Sequence, residues 1–178
     1  AASDVYKRQV EAFVSAYEMN PDKAVSETVD NFLSSPQFGE RFGRRWMDVA
    51  RFAESAGKEI NAAFPHAWRY RDYVIDSYNS DKPFDEFITE QLAGDLLEPA
   101  DEFDKAENLV ATGFLAIGTK GLNEISNRQF RFDLVDEQID TTTQAFLATT
   151  VACARCHDHK SDAIPMSDYY AMAGIFLS

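Results

Sequence analysis

Between Ser35 and Glu54 the chain reads SPQFGERFGRRWMDVARFAE, and this stretch restricts the fold more than any other. Phe42, Trp46, Val49, Ala50 and Ala53 recur at i, i+4, i+7, i+8 and i+11, the period of a helix that buries one stripe. Ser35 reads as an N-cap with Pro36 in the first turn, and Gly57 closes the run. The same rhythm recurs along nearly the whole chain, and no segment alternates as a strand would. The predicted class is therefore all-α: an irregular, multi-helix orthogonal bundle of about six to seven helices.

The remaining helices follow from stripes and stop signals. Asn20-Pro21-Asp22 starts one over 21–34. Another covers 67–79 with Trp68, Val74, Ile75 and Tyr78. Asp81-Lys82-Pro83 separates it from a helix over 84–97 carrying Phe84, Phe87, Ile88, Leu92 and Leu96. An acidic linker over 97–104 precedes a mostly buried segment over 106–118. A loop over 118–127 leads to a long helix over 129–150. Pro165 then breaks the chain, and Ser167 or Asp168 caps a last helix, YYAMAGIF.

Asp4-Val5-Tyr6-Lys7-Arg8-Gln9 is what GAT GTG TAT AAG AGA CAG encodes, a sequence like a transposase end used in library preparation. Residues 1–9 are therefore set aside as a cloning or sequencing scar, and 10–178 are read as a single helical domain. Gly174 to Ser178 lie inside an apolar helical pattern, so the expectation is a truncated fragment of a larger multidomain protein. With 30 acidic against 17 basic residues and a net charge of −13, the chain would be repelled by phosphate backbones, so no nucleic-acid partner is expected. No apolar run approaches the roughly 20 residues that span a bilayer.

The strongest chemical signal is Cys153-Ala154-Arg155-Cys156-His157-Asp158-His159-Lys160, which holds both cysteines and two of the three histidines. Cys-x-x-Cys-His is the attachment signature of a c-type haem: two thiols bond the vinyl groups and the histidine binds iron. Residues three apart on a turn share a side, so Cys153 and Cys156 can meet one porphyrin edge with His157 beside them. Three other readings stay open. The cysteines can be small packed residues; Cys153, Cys156 and His159 can hold zinc with a distant fourth ligand; or the thiols can form a redox pair, which wants a βαβ context. In an extended segment His157 and His159 share a face and could chelate one ion.

Other clusters have plain and functional readings. Asp133, Asp136, Glu137 and Asp140 share a face of the long helix, as a cation site or as partners for arginines elsewhere. Arg41, Arg44, Arg45, Arg51, Arg69 and Arg71 suit haem propionates or another anion, or inter-helix ion pairs. His66 suits capping or packing more than reaching a metal. Met166 and Met172 are candidate thioether ligands, with core packing the better assignment for Met172.

Taken together, SSPQFGERFGRRWMDVARFAES, AWRYRDYVIDSYNSDKPFDEFITEQLAGDLL, ATGFLAIG and VDEQIDTTTQAFLATTVACARCHDHKSDAIPMSDYYAMAGIF closely resemble the planctomycete cytochrome-associated domain of unknown function. The resemblance covers nearly all of 24–178, in order. It implies a large secreted or periplasmic protein in which this domain follows a cytochrome c module and precedes a module called PSD. The family's C-x-x-C-H-D-H-K falls on Cys153, Cys156, His157, Asp158, His159 and Lys160. Ser161-Asp162-Ala163-Ile164-Pro165 departs from the family's aromatic-Asp-Pro-Ile-Pro, and Met166 stands where a small polar residue is usual. That departure argues against Met166 as a family-wide iron ligand. His159 is the better second ligand by resemblance, or it orients His157 or a propionate.

Two functions follow. One is an electron-transfer module with covalent haem c, located in the periplasm or at the cell surface, where such haem matures, and serving a redox partner. The alternative is a zinc-type, non-haem module of a hydrolase or carbohydrate-processing protein. A flat apolar slot beside His157 favours the first; a carboxylate pocket near the cysteines favours the second.

Overall fold

The structure, a computed structural model, describes the backbone from Ala2 and the side chains from Val5 onward. Its helices are α1 (Ala2–Met19), α2 (Pro21–Leu33), α3 (Gln37–Val49), α4 (Ala67–Asn79), α5 (Phe84–Ala93), α6 (Glu102–Ala111), the single turn α7 (Gly113–Ala116), α8 (Asn127–Leu147) and α9 (Met166–Leu177). The architecture is all-α, as the periodicity predicted. Among the described residues no strand forms; one isolated antiparallel bridge joins Ser55 to Ala63 in the loop after α3. Helix α1 runs through the segment set aside as a scar, and leaving that segment out hid α1 from the sequence reading.

The helix pair α3 and α4 shows why the predicted stripe was displaced. Phe42 and Val49 are 38% and 42% exposed, whereas Gly39, Gly43, Trp46 and Ala50 face inward. A β-carbon on Gly39 would stand 2.4 Å from the Ile75 carbonyl oxygen, so only hydrogen fits there. The Gly39 N–H donates to Asn79 Oδ1 at 2.8 Å and pins the crossing. Counting apolar side chains cannot find a face whose key residues have none.

Helix α3 also ends earlier than predicted. Arg51 takes φ 55°, a left-handed conformation that breaks the ladder after Ala50. Ser35 is not the cap either: Pro36 holds that position and no side chain caps the helix. In α4, Trp68 is 45% exposed, while Tyr70, Tyr73 and Val74 are the buried residues. In α5, Phe84 is exposed and Phe87 buried, and Leu96 lies in an exposed 3₁₀ turn beyond the helix.

The main core gathers Trp46, Tyr70, Tyr73, Val74, Phe87 and Phe114. Its polar atoms are paired, as burial requires. Trp46 Nε1 donates to Tyr70 Oη and to Gln91 Oε1, each at 3.0 Å, and the Tyr70 hydroxyl donates to Gln91 Oε1 at 2.5 Å. At the core's edge Lys82 Nζ donates to Glu90 at 2.6 Å and to Glu107 at 3.2 Å, while Tyr73 donates to Glu90 at 2.7 Å. A second, smaller core of Val135, Ile139, Val151, Ala154, Tyr169 and Ala173 joins α8 to α9. The cysteine turn sits on this smaller core.

Candidate functional site

After α8 the chain reverses through Ala148, whose φ of 51° and N–H bond to the Thr143 carbonyl form a left-handed cap. It then enters a 3₁₀ turn, Ala152–Arg155. Alternation within that turn separates anchors from chemistry. Val151 and Ala154 are buried in the smaller core. Cys153, Cys156 and His157 are exposed, and both thiols are free. The Cys156 N–H donates to the Cys153 carbonyl at 3.3 Å, so the two cysteines are one turn apart.

Arg155, between the cysteines, clamps the turn to α8. Its guanidinium lies 3.1 Å from Asp136 Oδ2, and Tyr169 donates to Asp136 Oδ1 at 2.5 Å. Tyr170 donates to the Arg155 carbonyl at 3.0 Å. Burial disfavours the charge on Arg155, but Asp136 outweighs that and holds the guanidinium above its usual range. Burial, and then the hydrogen bond to Asp136, push the Tyr169 hydroxyl up as well. Asp136 and Tyr169 thus set the turn, and neither was singled out for that role in the sequence.

His157 has one nitrogen engaged. Its Nδ1 lies 2.8 Å from the Asp158 carbonyl oxygen, a contact that requires the proton on Nδ1 and leaves Nε2 without a protein partner among the described residues. A ligating histidine is commonly oriented by such a bond to a backbone carbonyl. Asp158 Oδ1 accepts the Met166 N–H at 2.9 Å and thereby tethers the start of α9. His159 serves the loop: its Nδ1 accepts the Asp162 N–H at 3.0 Å, and its own N–H donates to the Ile164 carbonyl at 2.9 Å. The same Nδ1 is 3.1 Å from Asp162 Oδ2, an ion pair only when the ring is protonated. The two contacts exclude one another at Nδ1, because a nitrogen that accepts a hydrogen bond does not itself carry the proton an ion pair needs.

The acidic face of α8 is spent largely on ion pairs. Asp140 meets Arg51 at 2.5 Å, Glu137 meets Lys120 at 2.7 Å, and Asp136 meets Arg155. The other arginines divide: Arg71 contacts Glu54 and Asp72, while Arg45 and Arg69 stack over Phe42 and Trp68. His66 occupies the N-cap position of α4 without a side-chain cap bond. Among the described residues no group of three or more His, Cys, Asp or Glu side chains is gathered around a metal-sized point. Cys153, Cys156 and His159 therefore do not form a preassembled zinc cage with a fourth ligand.

A cavity of about 700 Å³ lies between α8 and the loops after α3 and α7. It is lined by Asp133, Asp136, Glu137 and Asp140 and reaches Ala152, the neighbour of Cys153. The thiols and His157 themselves lie on open surface and not in the flat apolar slot expected to favour haem. The carboxylate pocket expected to favour the alternative does reach the start of the turn.

These features define an all-helical domain that exposes a Cys-x-x-Cys-His turn on its surface. The chain belongs to the PSCyt2 family, described as a protein of unknown function (DUF1549), which it matches over residues 6–178. This is the planctomycete-type domain that the sequence resembles. No curated protein and no solved structure matches the chain.

Proposed function

We propose that this domain carries one covalently attached c-type haem and passes electrons within a larger periplasmic or surface protein. The observation that supports it most is the division of labour in the turn. Ala154 and Arg155 fasten it, while Cys153, Cys156 and His157 are left outward and unengaged except for the bond that orients the imidazole. Cys153 and Cys156 would form the thioethers and His157 Nε2 would bind iron, which supplies one-electron chemistry when present. A group held there lies at the surface, where exchange with a neighbouring module needs no channel. Exposed apolar side chains on α1 and α2, among them Val10, Val29 and Phe32, suit contact with such modules; the proposed neighbours are a cytochrome c module and a PSD module. Among the described residues no helix is long and apolar enough to cross a membrane.

A second reading, a hydrolase or carbohydrate-processing module, is favoured by the carboxylate-lined cavity beside Ala152. Its carboxylates are held largely in ion pairs, an arrangement suited to binding more than to proton transfer. The haem reading is tested by producing the chain with c-type maturation machinery and comparing it with the Cys153→Ser/Cys156→Ser variant. Haem that stays with the wild type through denaturing electrophoresis and is lost from the variant supports it; equal staining of both overturns it.

A further inference from the structure

We infer that the 700 Å³ cavity on the α8 face is a binding site for a neutral, hydroxyl-rich ligand of the sugar or polyol class. The inference does not depend on haem. The volume falls within the range of sites for small organic ligands. Two of its cations are held in pairs, Arg51 with Asp140 and Lys120 with Glu137. The Glu59, Glu124 and Asp133 carboxylates that also line it have no ion-pair partner among the described residues. An anion would meet the excess of carboxylates, whereas a hydroxyl can donate to them and accept from an ammonium without breaking either pair.

The pairs also leave hydrogen-bonding capacity unused. The Lys120 side chain is 9% exposed, and among the described residues its ammonium donates to Glu137 Oε2 alone. An ammonium has three N–H donors, so two remain to meet water or a ligand oxygen in the cavity. A ligand oxygen in the cavity can take the place of that water. Asp133 spends one oxygen on Gln129 and keeps the other. At the mouth Lys58 adds an ammonium that has no ion-pair partner among the described residues. Phe130 lines this cavity and an adjoining one of about 480 Å³, which also shares Lys120 and Leu134. An aromatic ring between a polar and a more apolar compartment offers a surface for the C–H face of a pyranose.

Gly121 gives a clean test. A β-carbon there meets nothing nearer than Lys58 Nζ at 3.9 Å and Asn123 Oδ1 at 4.0 Å, so Gly121→Trp fills the mouth without disturbing the core. The full 178-residue chain, Gly121→Trp and Asn123→Ala are titrated with cellobiose, maltose, glucuronate and glucosamine by saturation-transfer NMR and calorimetry. Folding is checked by circular dichroism and spectra by absorbance. The expected result is saturable binding of a neutral disaccharide that Gly121→Trp weakens about tenfold or more, equivalent to the loss of at least one good contact. Binding of only the charged sugars, with affinity that fades as salt rises, overturns the inference. So does the absence of binding to any of the four, or unchanged binding in a folded Gly121→Trp variant. Haem absorbance is read separately on the same samples, so failure of either proposal is seen by itself.

Discussion

His157 is aimed by a backbone atom, and this makes its neighbour's role separable. Asp158 lends its carbonyl to the imidazole and its carboxylate to the Met166 N–H. Asp158→Ala keeps the first and removes the second. It is expected to cost about 1 kcal/mol of stability, as for a lost helix cap, with haem loading unchanged; thermal unfolding and the haem stain check the two halves. Gly94 offers a purely steric case. A β-carbon there would lie 2.2 Å from the Asn108 carbonyl oxygen, although its φ of −58° suits any residue. Gly94→Ala should therefore destabilise by about 1–3 kcal/mol through overpacking, read from urea midpoints at unchanged slope. At this scale the sequence was legible where the chemistry is contiguous: Cys153, Cys156 and His157 announce themselves. Asp136 was legible only as one of four carboxylates open to arginines, and Tyr169 not at all, because their partnership with Arg155 exists only once α8 and α9 are packed together.

Among the elements, α5 and the segment before it carry the most exacting interaction. Lys82 is 13% exposed and shares Glu90, at 6%, with Tyr73. Lys82→Met leaves the Glu90 charge buried without its counter-ion, and a loss of about 3–5 kcal/mol is expected by denaturant titration. Truncating both partners should cost less than truncating Lys82 alone, since no lone charge is then left. Helix limits were readable where punctuation is local: α2 and α4 fall within a residue of the limits set by Asn20-Pro21 and Asp81-Lys82-Pro83. The end of α3 was not, since nothing local marks Arg51 for a left-handed turn. Tertiary pairing with Asp140 accompanies that turn. The inner face of α3 was read at Trp46 and Ala50 but missed at Gly39 and Gly43: close approach to α4 demands glycine, and glycine gives no hydrophobic signal.

For the whole molecule, the buried hydroxyls and Lys82 set an alkaline limit. Burial pushes Tyr70 and Tyr73 up from 10.0. Lys82 is raised from 10.5, because Glu90 and Glu107 outweigh the burial that would lower it. In each case the folded state keeps a proton that the unfolded state releases. Their contribution is therefore complete below the unfolded values and is lost as pH rises beyond them. The melting temperature should hold steady up to about pH 9 and fall above about pH 10, and Tyr73→Phe should shallow that fall in a pH series followed by circular dichroism. The central claim concerns the surface turn, and intact mass measured under denaturing conditions tests it most directly, on chain made with c-type maturation machinery. The account predicts a species heavier than the 20.1 kDa polypeptide by one haem, whose Soret absorbance travels with the unfolded chain. A colourless chain at the unmodified mass, with both thiols still open to alkylation, would contradict it.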